Sequence, residues 1–334
     1  MEPTPRMRLD QMICGYWTSQ AIYVAAKLGI ADLLKDGPRT AHDLAAQTAT
    51  HEKSLYRLLR ALASLGIFAE DDNRRFALTP DSESLRRDVP GSQWATAVMV
   101  GEEQYRAWAE LLYGIRTGGN AFEKVFQKPL FEFLSDHPDK AAVFDQAMVG
   151  IHGRETAAIL DAYDFSSFAA VTDIGGGNGS MLSGLLGRYA ALHGTLFDLP
   201  GVIERARKNI EAAGLANRVH LVAGDFFANV PSGADAYVLR HIIHDWDDAQ
   251  ALRILENVRR EMHEDGRLLV IESVIPPGNE PFFGKLLDLA MLVSPGGQER
   301  TAEEYHDLYG KAGFRLAHIV PTQAEVSVIE GVLE

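Results

Sequence analysis

Two spacings of apolar residues divide the chain. Up to about residue 160 they recur at helical intervals, as in "QAIYVAAKLGIADLL", where Ile22, Ala26, Ile30, Leu33 and Leu34 fall roughly on one face. "TAHDLAAQTATHEKSLYRLLRALASLGIF" predicts two or three short helices, the first opened by Thr40 with Asp43 three places on, close to a capping box. "IFAEDDNRRFALTP" reads as two short strands around an Asp-Asp-Asn turn, and helices followed by a small hairpin form a winged-helix pattern. "MVGEEQYRAWAELLYGI" and "AAVFDQAMVGIHGRETAAILDAY" are helical again, with a break at Gly118-Gly119-Asn120 between them.

After Phe165 the rhythm changes. Short apolar runs such as "AAVTDI", "GTLFDL", "RVHLVAGDFF", "ADAYVLRHII" and "RLLVIESV" alternate with amphipathic stretches of helical period. That alternation predicts a mostly parallel sheet with helices on both faces. The last two runs, "RLAHIVP" and "VSVIEGVL", are joined by a link too short for a parallel crossover, so the sheet should end in an antiparallel pair. The expected divisions are a helical, winged-helix-like domain over 1–91, a helical connector over 92–164 and an α/β domain over 165–334.

Charge decides what the winged helix is for. The chain of 334 residues carries a net charge of −14, which disfavours nucleic acid and anionic membrane as partners. Residues 1–90 hold twelve basic and twelve acidic side chains, so no electrostatic footprint for phosphate is present there. Packing or dimerisation is the better reading, and the density of large apolar residues over 9–34, including Met12, Ile13, Tyr16, Trp17 and Tyr23, suits a subunit interface. The single cysteine, Cys14, rules out an intrachain disulfide framework and fits a reducing cytosol. No run reaches the ~20 apolar residues of a membrane span, and the first residues lack the apolar centre of a signal peptide. The expectation is a cytoplasmic protein.

The chemistry concentrates where strands stop. "TDIGGGNGSML" follows a strand and opens a helix, with Gly175 and Gly177 but Ser180 where a dinucleotide fingerprint has its third glycine. Asp173 inside the motif would repel a pyrophosphate, so the loop favours an uncharged or cationic ligand portion. Asp198, ending the next strand in "FDLP", is placed to accept from both hydroxyls of a ribose. In "GDFF", Asp225 can accept from an exocyclic amine and Phe226 can cover one face of a base. Successive strand ends thus describe an adenosine without phosphates.

"DIGGGNG", "FDLP", "GDFF", "HDWDD" and "GGQERT", in that order, resemble the S-adenosylmethionine-dependent small-molecule O-methyltransferases, the type that methylates caffeate, hydroxyindoles and bacterial phenazines and polyketides. The resemblance implies a class I methyltransferase sheet of Rossmann-like form, preceded by a dimerisation domain, with a connector lining the acceptor pocket. S-adenosylmethionine would be the cofactor and S-adenosylhomocysteine its product. It implies cofactor contacts at Gly175, Asp198, Asp225 and Phe226, with Arg240 near the adenine.

"RHIIHDWDD" offers two histidines and several carboxylates. Residue chemistry alone does not choose between His241 and His244; the resemblance makes His244 the catalytic base. A phenol with a pKa near ~10 is ionised in about one molecule in a thousand at pH 7, a deficit of ~4 kcal/mol within reach of a histidine. A carboxylate that fixes the ring's tautomer helps such a base. Glu272, ending the following strand, and Glu299, in the glycine-turned loop, are the two candidates, and the family carries acids at both positions. A metal held by His241, His244, Asp245, Asp247 and Asp248 lacks a second signature elsewhere; Asp247 and Asp248 read better as the cap and first turn of a helix. No metal is expected.

For the acceptor, the resemblance points to Met148, Met291 and Ser294, the serine standing where some relatives have an asparagine; His152 is one place off the relatives' pocket histidine and takes no role. The reading is a homodimeric enzyme methylating a phenolic hydroxyl of an aromatic small molecule. Its rivals are a member of the fold with diverged chemistry, such as decarboxylation or hydroxylation, and a non-enzymatic winged-helix regulator.

Overall fold

The computed structural model describes residues 4–153 and 155–334. By contacts the chain divides into two units, residues 1–106 with 137–151, and residues 107–136 with 152–334. The helical stretch 92–164 is therefore shared between them.

In the first unit, the helices Ala41–Thr48 and Glu52–Ser64 pack over a small antiparallel sheet of β1 (Arg39–Thr40), β2 (Phe68–Glu70) and β3 (Arg75–Leu78), in the order β1-β3-β2. The capping box is formed: Asp43 N donates to Thr40 Oγ1 at 3.1 Å and Thr40 N to Asp43 Oδ2 at 3.2 Å. The hairpin turn is held by Asp71 Oδ1, which accepts from Asn73 N and Arg75 N, each at 2.9 Å. Leu44, Leu55, Leu59, Leu62, Phe68 and Phe76 make the core. Met7, Leu9, Met12, Ile13, Tyr16 and Trp17 on the first two helices are left exposed.

The second unit is built on seven strands: β4 (Ala170–Ile174), β5 (His193–Asp198), β6 (Val219–Ala223), β7 (Ala236–Arg240), β8 (Arg267–Glu272), β11 (Phe314–Pro321) and β12 (Ser327–Leu333). A separate two-strand parallel ladder pairs β9 (Val274–Ile275) with β10 (Arg300–Thr301). The large sheet runs β11-β12-β8-β7-β4-β5-β6; β4 to β8 are parallel, and β12 pairs antiparallel with both β8 and β11. Both faces are covered, which is why the strands read as continuous apolar runs. On β7, Ala236 and Val238 join one core and Tyr237 and Leu239 the other. No helix among the described residues is long and apolar enough to cross a membrane.

Candidate active site

The sheet reverses its winding at β4, which lies between β5 and β7. The helix after β4, Ser180–Arg188, packs on one face through Leu182 and Leu185, and the helix after β7, Asp248–Glu261, on the other through Ile254, Leu255 and Val258. Chains leaving to opposite faces open a crevice at the carboxyl ends of these strands.

The predicted acids fall at those ends. Asp173 sits next to last on β4, buried, and its Oδ2 has no hydrogen-bond partner. Burial raises its carboxyl to about 6, against the pull of the Arg240 guanidinium and with help from the Asp198 charge. Asp198 ends β5; its Oδ2 accepts from Gly177 N at 2.9 Å and its Oδ1 from Leu199 N at 2.7 Å. Asp225 is exposed past β6, with Oδ1 accepting from Phe227 N at 2.8 Å. Phe226 packs edge-on against Trp246 at 5.9 Å between centroids. Gly175 adopts φ +65°, a left-handed conformation that favours glycine, and a Cβ there would press on Ile242 Cδ1 at 2.3 Å. Gly177, at φ +58°, has nothing within 4 Å on that side. Arg240, ending β7, donates to Thr156 Oγ1 at 2.9 Å and Ser180 Oγ at 3.3 Å, beside the first turn of the helix that follows the glycines. The buried Asp173 Oδ2, unpartnered at the head of a glycine turn that itself carries no basic residue, fits a ligand end that carries an ammonium group, as the amino-acid end of S-adenosylmethionine does.

His244 lies on a short 3₁₀ turn, Ile243–Asp245, just past β7. The imidazole is buried and its Nδ1 is 2.6 Å from Glu299 Oε1. An ionised carboxylate only accepts, so Nδ1 carries the hydrogen and the neutral ring keeps its lone pair on Nε2. The nearest carboxylate to Nε2 is Asp245, Oδ1 at 3.7 Å, beyond hydrogen-bond reach. Burial pushes this imidazole down, but the Glu299 bond and charge, with Asp245 and Glu272 behind them, outweigh it and raise the ring to about 10. Asp245 itself is raised to about 7 by burial, with the His244 charge opposing.

Of the two candidate acids, only Glu299 bonds the ring. Glu272 Oε1 accepts from the backbone N–H of Ile242 and of His244, each at 3.1 Å, and Oε2 accepts from the Tyr305 hydroxyl. Glu272 is thus a clamp on the backbone that carries His244. Tyr305 gave no signal in the sequence, because its partner lies 33 residues away on another element. Removing its hydroxyl strands a buried carboxylate oxygen, a loss of about 1–3 kcal/mol. Tyr305→Phe should therefore lower stability by about that amount in urea unfolding, and should also lower kcat per folded molecule. An unchanged kcat would leave the clamp a purely structural bond.

Arg300 also escaped the sequence reading. Fully buried, it donates to the carbonyls of Ile243 at 3.2 Å and Trp246 at 3.1 Å and pairs with Asp248 at 2.8 Å. Gln298 N donates to His244 O at 2.9 Å. The "GGQER" segment is therefore a brace on the His244 turn as well as the source of Glu299. Asp247 caps its helix as expected, accepting from Gln250 N at 2.8 Å.

The acceptor candidates are spread over the two units. Met148 packs in the first, near Ala95, Met99 and Ala147. Met291 and Ser294 lie in the second, on and just after the helix Gly284–Val293. Ser294 is buried, its Oγ has no partner and its carbonyl accepts from Asn120 Nδ2 at 2.9 Å.

Residues 10–88 match the family model of an O-methyltransferase dimerisation domain, and residues 108–315 that of an O-methyltransferase domain. The chain is 47% identical over 322 residues to the phenazine O-methyltransferase PhzM of Lysobacter antibioticus, covering 96% of this chain and 94% of the relative. It is 35% identical over 323 residues to a phenazine-1-carboxylate N-methyltransferase of Pseudomonas aeruginosa, covering 96% and 95%. Among solved structures it superposes on LaPhzM with a TM-score of 0.97 at 45% identity, covering 99% of this chain and all of the other. Human N-acetylserotonin methyltransferase in complex with S-adenosylmethionine superposes with a TM-score of 0.92 at 29% identity, covering 99% and 98%. With both family models matched in order and the relatives covered almost end to end, this chain belongs to the S-adenosylmethionine-dependent O-methyltransferase family.

Proposed function

We propose that this enzyme methylates a phenolic hydroxyl of an aromatic small molecule, of the kind the phenazine relatives modify, with His244 as the base. The observation that carries the reading is the buried His244–Glu299 contact of 2.6 Å. S-adenosylmethionine, when bound, supplies a methyl group on a sulfonium as the electrophile. The residues that would hold it are Asp173 and Gly175 at the amino-acid end, Asp198 at the ribose, and Asp225 and Phe226 at the base. Arg240 is better placed to support Asp173 and Ser180 than the adenine, given its bonds to Thr156 and Ser180.

The Glu299 carboxylate holds the His244 ring above an ordinary imidazole, so its neutral form is a stronger base than a free histidine. Proton transfer from the acceptor to Nε2 of that neutral ring leaves a phenolate paired with an imidazolium that Glu299 stabilises. An aliphatic alcohol is a far weaker acid and suits a single histidine base less well. Met291 and Ser294 are proposed to line the acceptor, and the exposed apolar residues of the first two helices to bury themselves in a homodimer. The reducing cytoplasm suits the lone Cys14.

Product mass spectrometry with matched phenol, arylamine and aliphatic alcohol acceptors tests the reading. A gain of one methyl on the phenol alone is expected. Methylation of the amine in its place would make this an N-methyltransferase, and loss of carbon dioxide or gain of oxygen would reveal diverged chemistry. Asp198→Asn should weaken S-adenosylmethionine by about 1.5–3 kcal/mol, the worth of a charged hydrogen bond, read by calorimetry. Unaltered affinity would remove the ribose assignment.

A further inference from the structure

A second cluster stands beside the base and has no part in the reaction just described. His152 ends the helix Pro138–His152, Glu155 starts the helix Glu155–Ala162, and His241 follows β7. His241 Nε2 lies 2.8 Å from Glu155 Oε2, and His152 Nδ1 lies 3.1 Å from Glu155 Oε1. The two imidazoles stack with centroids 3.8 Å apart. One nitrogen or oxygen from each residue falls within 4.8 Å of the other two. All three side chains are nearly buried.

His241 has features that packing alone does not require. Its φ of +55° is left-handed, a conformation that costs a non-glycine residue on the order of 1–3 kcal/mol and persists where the surroundings impose it. Its Nδ1 is buried without a hydrogen-bond partner. With Nε2 facing the Glu155 carboxylate, Nδ1 remains a buried polar atom without a partner, which packing alone seldom leaves.

Two imidazoles and one carboxylate are the ligand set of borderline divalent ions, softer than the all-oxygen cages of magnesium or calcium. We propose that His152, Glu155 and His241 form a binding site for a divalent transition-metal ion of the zinc class, with a fourth position left to water. A tetrahedral ion with bonds of about 2.0–2.1 Å holds its ligand atoms about 3.3 Å apart. The three ligand atoms already lie within 4.8 Å of one another, and the stacked rings must turn out of their stack to aim both lone pairs at one ion. The set differs from the one weighed in the sequence. His244 is committed to Glu299, Asp247 caps a helix and Asp248 pairs with Arg300. The new partners come from residues 86 and 89 positions before His241, a spacing no linear motif encodes.

The test uses Co²⁺ as a spectroscopic probe on tag-free full-length protein stripped with a chelator. One equivalent should produce the visible absorption of a four- or five-coordinate ion, which aqueous Co²⁺ lacks, and Zn²⁺ should displace it. Glu155→Gln and His152→Ala should each weaken Co²⁺ about tenfold or more, whereas His244→Ala should leave the spectrum in place. Wild-type protein that gives only the aqueous spectrum overturns the site, and that result depends on no variant's folding. A wild-type spectrum unchanged in both ligand variants, with circular dichroism confirming their fold, overturns the assignment equally.

Discussion

His244→Ala is expected to lower kcat by about 100- to 10,000-fold, the range a positioned general base contributes. S-adenosylmethionine affinity should stay within a few-fold of wild type, because the proposed cofactor residues belong to β4, β5, β6 and the turns after them. Truncation also leaves Glu299 buried and unpaired, a penalty of about 3–5 kcal/mol. His244→Asn is the cleaner companion, since its amide can still donate toward Glu299. Stopped assays with calorimetry on both variants separate a lost base from a lost fold; full turnover in folded His244→Asn would reject the assignment. Glu299→Gln adds a pH signature. With the ring raised to about 10, kcat/KM of the wild type should climb with pH through the neutral range. Without the Glu299 charge the imidazole releases its proton at lower pH, so the climb should shift to the acid side while the plateau falls. A rise at the same pH in both proteins would show that another group titrates.

Gly297→Ala should be nearly as damaging, for a different reason. A Cβ at Gly297 would sit 2.1 Å from His244 O, 2.3 Å from Asp245 C and 2.4 Å from Trp246 N. All three are backbone atoms, so no side chain can swing aside. The brace and the turn must separate, which breaks the Gln298 N to His244 O bond and draws Glu299 from Nδ1. A displacement on the order of 1 Å at a catalytic group costs about 100-fold in rate, and overpacking costs about 1–3 kcal/mol of stability. Single-turnover kinetics and urea melts read the two effects independently. Wild-type rates in Gly297→Ala would mean that the brace does not set the position of the base.

The dimerisation reading rests on the same kind of reasoning from surplus. Met7, Leu9, Met12, Ile13, Tyr16 and Trp17 are exposed within a unit whose own core is already filled by Leu44, Leu55, Leu59 and Phe76. Apolar surface on this scale is more usual at a subunit contact than on a free monomer. The family match over residues 10–88 agrees with that account.

Local chemistry wrote most of the scaffold into the chain. The alternation of apolar runs and amphipathic helices after Phe165, the short link before the last strand, the Thr40–Asp43 box and the Asp247 cap each depend on neighbours within a few residues. Sequence could therefore carry them, and the acids at the ends of β4 and β5 followed once the strands were placed. The division of labour between Glu272 and Glu299 was decided only in three dimensions. Both stand near the His244 turn, but a carboxylate's role depends on which donors face it. The fold aims two backbone N–H groups and the Tyr305 hydroxyl at one and the imidazole at the other. The same holds for Arg300 under the turn, for the close approach of Gly297, and for the meeting of His152, Glu155 and His241. Each joins elements far apart in the chain, and contacts of that kind arise from packing, which leaves no period or spacing to read.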